Sequence, residues 1–358
     1  MSRFFSDKYS KLIPYTPGEQ PQERKYLKLN TNESPFPPSP LARSMASEEA
    51  GRLQLYSDPE VKALVKTATE KLGVGPDEIL FTNGSDEILN FAFMAFCDDR
   101  HPAAFPNITY GFYSVFAGVN NIPYEEIPLN GDFTVKVEDY LSLNKTIFIA
   151  NPNAPTGIAL RVEEIERIVK SNPDSVVVVD EAYVDFGTES CIGLTRKYDN
   201  ILVCRTFSKS YSLAGGRLGF GVASRELIRD LNTIKYSTNP YNVNRMTMAA
   251  GIGALLDSEY FENNCREIIR AREKTGLELK KLGFVLTDSK ANFLFAKSGD
   301  IGGQELYLEM KNRGVLIRHF ETPLLKDFNR ITVGSEEQMD RFLEVLKGIL
   351  DDKKSGKI

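Results

Sequence analysis

Between residues 60 and 245, short apolar runs rich in β-branched residues alternate with segments whose apolar residues recur at helical spacing. The runs are EILFT (78–82), KTIFIA (145–150), SVVVVDEA (175–182) and NILVCRTF (200–207). The segment EEIERIVKSN (163–172) lies between two of them and predicts a βαβ unit. A run such as VVVV needs apolar cover on both faces, which a parallel sheet flanked by helices supplies. The expectation is an α/β fold with a mostly parallel central sheet.

That core uses only part of the 358 residues, and a chain of this length is expected to form about two domains. Residues 1–45 carry the PFPPSP run at 35–40, which disfavours long regular elements and predicts an extended N-terminal arm. The large domain is expected over 46–245. From 246 to 358 the pattern becomes long and charged, with EYFENNCREIIRAREKTGLELKKLG and EEQMDRFLEVLKGILDDKK, and a smaller C-terminal domain is expected there. In the second of these, Met339, Phe342, Leu346 and Ile349 recur at helical spacing and are assigned to a core face.

The net charge of -5, with Lys and Arg scattered among acids, gives no basic stripe for nucleic acid or an anionic membrane, so small-molecule partners are expected. Cys97, Cys191, Cys204 and Cys265 lie far apart, and the only histidines are His101 and His319, so no metal site is expected. Unpaired thiols suit a reducing cytosol. The N-terminal residues contain no apolar signal core, and no stretch approaches the roughly 18 apolar residues of a membrane span. A cytoplasmic location is therefore expected.

Three polar motifs each follow an apolar run: NGSDE (83–87), VVVVDEAY (176–183) and RTFSKSYSLAGGRLGF (205–220). In open α/β sheets ligands bind beyond the carboxyl ends of the strands, where these groups would converge. Asp180, ending an apolar strand, is costly to bury without a cationic partner; read alone, without Lys209, it would be taken as a helix N-cap. Gly84, Ser85 and Asp86 open a helical segment, whose N–H groups suit either a phosphate or ordinary capping. Arg217 offers a planar fork for paired oxygens.

Further motifs join them: LIPYTPGEQP (12–21), LNTNESPFPPSP (29–40), TYGFYSVFA (109–117), NPNAPTG (151–157), ANFLF (291–295), GVLIRHF (314–320) and RITVG (330–334). In order and spacing the whole set resembles the fold-type-I aminotransferases, and among them the histidinol-phosphate aminotransferases, over almost the full chain. The resemblance implies a large domain with a mostly parallel sheet, a smaller α+β domain and pyridoxal 5'-phosphate as cofactor. It implies that Lys209 forms the Schiff base and moves the substrate proton, that Asp180 keeps the pyridine nitrogen protonated, and that Tyr183 bonds the phenolic oxygen. Gly84, Ser85, Asp86, Thr206, Ser208 and Arg217 would hold the phosphate, and Tyr110 would stack on the ring. Arg330 and Arg318 would grip substrate anions while Tyr15 and Asn32 close over them. A homodimer is implied, with Tyr56 reaching the neighbouring cofactor phosphate.

One departure stands out, since Ala154 occupies a position where the family usually has Asn; either Asn153 takes that role or Tyr183 acts alone. The implied substrates are L-glutamate with 2-oxoglutarate and histidinol phosphate with imidazole-acetol phosphate. An aromatic amino-acid aminotransferase or a threonine-phosphate decarboxylase would share the chemistry. A cofactor-binding regulatory module is the reading from another class, and the lack of an added DNA-binding segment argues against it.

Overall fold

The computed structural model describes residues 2–358. After one 3-10 turn at Asp7–Tyr9 come a short strand, β1 (Leu27–Lys28), and two helices, α1 (Pro40–Ala50) and α2 (Lys62–Leu72). The Pro-rich run, expected to stay extended to residue 45, ends instead in the first turn of α1. Ser39 accepts a hydrogen bond from the Ala42 N–H, and Pro40 takes the opening position, where its missing N–H is no loss.

There follow β2 (Ile79–Thr82), α3 (Ser85–Phe96), β3 (Ala103–Pro106), α4 (Phe112–Asn120), β4 (Tyr124–Ile127), β5 (Thr146–Ala150), α5 (Val162–Ser171), β6 (Val177–Asp180), β7 (Ile201–Thr206) and β8 (Gly219–Ala223). Strands β2 to β8 form one seven-stranded sheet in the order β2-β8-β7-β6-β5-β3-β4. The pairs from β4 to β7 are parallel, whereas β8 runs antiparallel to both β7 and β2. The βαβ unit is β5-α5-β6. Val177 and Val179 pack with Ile165 and Ile168 of α5, while Val178 faces the other side with Phe93 and Phe148. Both faces of β6 are therefore dry, as its unbroken apolar run requires.

Three strands of this sheet escaped the sequence pattern. β3 is AAFP, ending in proline; β4 is YEEI, a mostly exposed edge; and β8 is GFGVA, too glycine-rich to read as a strand.

The remaining elements are α6 (Arg225–Thr238), α7 (Arg245–Leu256), α8 (Ser258–Lys281), β9 (Phe284–Leu286), β10 (Phe293–Ser298), α9 (Gly303–Asn312), β11 (Val315–Leu316), β12 (Arg318–His319), β13 (Asn329–Thr332) and α10 (Glu336–Lys354). Strands β9, β10, β12 and β13 form an antiparallel sheet in the order β12-β13-β10-β9. Met339, Phe342, Leu346 and Ile349 of α10 are buried in its core with Ile268, Leu294 and Ile331. The start of α10 carries a reciprocal capping box between Ser335 and Gln338. β1 pairs in parallel with β11, which ties the N-terminal segment to this second unit. Among the described residues no helix is long and apolar enough to cross a membrane.

Candidate active site

Ala150, Asp180 and Thr206, the last residues of β5, β6 and β7, line one cavity of about 400 Å³. Strand register explains the meeting, because Asp180 is level with Ala150 on one side and Cys204 on the other. Ser85, Asp86, Tyr110, Tyr183, Ser208, Lys209 and Arg217 complete the expected residues on its wall.

Asp180 is almost fully buried. Its Oδ2 accepts from the Tyr113 hydroxyl at 3.1 Å and its Oδ1 from the Ala182 N–H at 3.2 Å. Burial pushes its pKa up to about 7; the Tyr113 hydrogen bond works against that rise and the charge of Asp86 adds to it. Lys209 is half-buried, with Nζ donating to the Thr31 carbonyl at 3.3 Å and lying 5.9 Å from the centre of the Tyr183 ring. Burial lowers its pKa to about 8, assisted by Arg330 and opposed by Glu33 and Asp86. A buried acid and a lysine whose ammonium is disfavoured thus share one small space.

The other end of the cavity is built for an anion. The Ser85 and Asp86 N–H groups lie in the first turn of α3, with Gly84 as its N-cap at φ +79, a left-handed angle that suits glycine. A Cβ on Gly219 would come within 2.5 Å of the Gly84 carbonyl carbon, so β8 can approach this turn only with glycine there. Arg217 Nη2 pairs with Asp86 Oδ2 at 2.9 Å, and the Tyr110 hydroxyl donates to Asp86 Oδ1 at 2.7 Å. Thr206 Oγ1 accepts from the Ser208 N–H at 3.1 Å and donates to Ser208 Oγ at 3.0 Å.

These groups fit pyridoxal phosphate. Both hydrogen bonds to Asp180 come from uncharged donors, so a protonated ring nitrogen would supply the missing cation. Hydroxyls, a guanidinium and a helix N-terminus suit the phosphate.

A second chamber of about 760 Å³ shares Thr31, Tyr110, Ala154, Tyr183 and Lys209 with the first and brings in Tyr15, Asn32, Arg318 and Arg330. Arg330 Nη2 donates to the Asn30 carbonyl at 3.2 Å, its Nε has no partner, and its guanidinium lies 5.3 Å from the Phe293 ring centre. Burial lowers the pKa of this arginine. Arg318 donates to the carbonyls of Pro17 and Thr16 at 3.3 and 3.2 Å, which ties it to the N-terminal segment. Tyr15 stacks on Phe112 at 4.3 Å, and Asn32 Nδ2 donates to the Tyr183 hydroxyl at 3.0 Å.

Two expected residues lie elsewhere. Asn153 lines neither chamber: it accepts from Thr109 Oγ1 at 2.8 Å and donates to the Ile108 carbonyl and Thr156 Oγ1, so its amide holds the NPNAPTG turn together. Ala154 reaches the wall in its place. Tyr56 is 81% exposed and stacks on Tyr241 at 4.7 Å, outside both chambers of its own chain.

The structure also brings forward residues the sequence reading passed over. Tyr113 bonds Asp180, Glu33 lines the cavity while paired to Lys28 at 2.7 Å, and Thr31 contributes only a carbonyl to Lys209. Tyr113 carried one signal, a tyrosine three residues after Tyr110 on an apolar helix; a backbone carbonyl carries none.

The family pattern for aminotransferase class I and II matches residues 24–346. The histidinol-phosphate aminotransferase of Brachyspira hyodysenteriae is 47% identical over 352 residues, 98% of this chain and 99% of that protein. That of Clostridium acetobutylicum is 42% identical, over 97% of this chain and 99% of its own length. In fold, the chain is similar to the histidinol-phosphate aminotransferase from Sinorhizobium meliloti, solved in complex with pyridoxal-5'-phosphate, with a TM-score of 0.87 at 23% identity over 98% of this chain and 99% of that one. With motifs, fold and full-length relatives in agreement, the chain belongs to the class I and II aminotransferases.

Proposed function

We propose that this aminotransferase uses pyridoxal 5'-phosphate held covalently by Lys209, and moves an amino group between L-glutamate or 2-oxoglutarate and histidinol phosphate or imidazole-acetol phosphate, a step of histidine biosynthesis. One observation carries the reading: Lys209 and Asp180 face a single cavity whose far end is a helix N-terminus with Arg217 beside it. When bound, the cofactor supplies an electron sink for the negative charge that develops at the substrate Cα. Asp180 holds the proton on the ring nitrogen. Lys209 Nζ, its ammonium already disfavoured by burial, takes the proton from Cα as a neutral amine and returns it during transfer. Tyr183, oriented by Asn32, donates to the phenolic oxygen, and Tyr110 covers the ring. Ser85, Asp86, Thr206, Ser208 and Arg217 hold the phosphate, the first two through their N–H groups.

Arg330 is the anion grip for both substrates, since its planar fork suits the carboxylate of one and the phosphate of the other. Its unpaired Nε and its place on the second chamber support this role. Arg318 is the second cation, and its bonds to the Thr16 and Pro17 carbonyls couple it to the segment carrying Tyr15. The names of the full-length relatives support histidinol phosphate as the amino substrate.

The proposal extends to a cytoplasmic homodimer in which Tyr56 reaches the cofactor phosphate of the neighbouring subunit. Tyr56, Leu53 and Leu55 form an exposed apolar run, which supports an interface there, and four buried free cysteines support a reducing compartment. The separate antiparallel sheet and its core support a small C-terminal domain beside the large one. Ala250, Ala254 and Leu255 of α7 pack in the large domain's core, which favours a boundary after α7, and the arm ends where α1 begins at Pro40.

The test is a pair of half-reactions on purified protein, histidinol phosphate against phenylalanine and tyrosine, each with 2-oxoglutarate as acceptor. Histidinol phosphate is expected to lead in kcat/KM by about 100-fold or more, because its phosphate offers Arg330 and Arg318 more charge and a further acceptor oxygen than the single carboxylate of an aromatic amino acid. Equal or reversed preference would reject the substrate assignment.

A further inference from the structure

Tyr113 lies in α4 with none of its surface exposed. Its ring packs against Phe105 and Phe148, with centroids 5.7 and 5.8 Å apart, and phenylalanine would meet every need of that packing. Only the hydroxyl sets it apart. A buried O–H costs free energy unless it finds an acceptor, and this one donates to Asp180 Oδ2 at 3.1 Å.

The consequence falls on the carboxylate. Asp180 Oδ2 is held from α4 and Oδ1 from the Ala182 N–H of its own loop, which fixes the carboxylate plane and leaves each oxygen a lone pair. Among the described residues, Tyr113 is the only side chain that donates a hydrogen bond to Asp180. Burial disfavours its charge, as do the nearby acids Asp86 in α3 and Glu181, the next residue in the chain. A donor to the ionised form opposes them.

We infer that Tyr113 is a positioning residue for Asp180: its hydroxyl holds the carboxylate ionised and oriented, so that the proton it shares with the ring nitrogen of a bound cofactor rests on nitrogen. The inference depends on the assignment of pyridoxal phosphate to this cavity. It makes Tyr113 part of the machinery without contact to substrate.

The experiment uses the full chain reconstituted with pyridoxal phosphate carrying ¹⁵N at the ring nitrogen, and reads the ¹⁵N chemical shift. The wild type is expected to show a protonated ring nitrogen. Tyr113→Phe is expected to move the shift toward that of the unprotonated ring and to raise the cofactor dissociation constant about 10-fold, with the overall fold unchanged by circular dichroism. p-Aminophenylalanine at position 113, which keeps the shape with a weaker donor, is expected to give an intermediate shift, and it serves as the test should Tyr113→Phe fail to fold. A shift that stays at the wild-type value in these variants overturns the inference alone, leaving Tyr113 a packing residue. A wild-type protein that takes up no cofactor overturns both the inference and the cofactor assignment.

Discussion

The side-chain amide of Asn32 donates to the hydroxyl of Tyr183 at 3.0 Å, joining the N-terminal segment to the loop that follows β6. The same Asn32 accepts from Thr332 Oγ1 at 3.0 Å, and its carbonyl accepts from Asn292 Nδ2 at 3.0 Å. A single buried residue therefore connects both sheets at the cavity wall. Asn32→Ala removes the donor to the Tyr183 hydroxyl and the acceptor of the Thr332 O–H, while the backbone N–H of residue 32 still donates to Thr332 Oγ1, a loss of about 1–3 kcal/mol for buried groups. The expected outcome is a lower denaturation midpoint together with reduced turnover at nearly normal cofactor content. Equal stability and turnover in wild type and variant would show that the bond does not matter.

The cofactor-free protein should carry a pH signature of Asp180. Its folded pKa is raised from 3.8 to about 7, mainly by burial, so the folded state binds more protons than the unfolded state between those values. Stability from this group is present below pH 3.8 and is lost as pH rises toward 7, on the order of 4 kcal/mol in all. Lys209 acts in a separate window. Its folded pKa is lowered to about 8 from 10.5, so its burial costs stability below pH 8 and that cost is relieved as pH rises toward 10.5. Urea titrations of wild type and Asp180→Asn across pH 4 to 7 check the first claim: the variant should gain on the wild type as pH rises. Parallel curves would remove Asp180 as the source.

The polar motifs were legible because each is contiguous and follows an apolar strand, so chain order alone points Ser85, Asp180 and Lys209 to one sheet end. Helices α5, α8 and α10 were legible from spacing. What escaped depended on partners distant in sequence. The Asn153 amide is taken up by Thr109 and Ile108, more than 40 positions earlier. Arg318 is engaged by carbonyls about 300 positions away, and carbonyls leave no trace in residue type. The proline run was misread past its end because Pro40 opens a helix as readily as proline breaks one.

Co-expression tests the shared-site arrangement. If Tyr56 serves the neighbouring subunit, mixed dimers of Lys209→Ala and Tyr56→Ala chains contain one site with neither lesion and should exceed the summed activity of the two parent homodimers. Cofactor affinity of the Tyr56→Ala homodimer should also fall. If verified mixed dimers give no gain and the Tyr56→Ala homodimer is clearly impaired, Tyr56 does not serve a partner's site.

The central claim is that Lys209 carries the cofactor, and borohydride reduction of the pyridoxal-phosphate-loaded protein followed by peptide mass analysis addresses it most directly. The expected result is one phosphopyridoxyl group, on the peptide containing Ser208-Lys209-Ser210, that disappears in Lys209→Ala while the variant keeps its fold. An adduct on another lysine, or undiminished labelling in Lys209→Ala, would contradict the account.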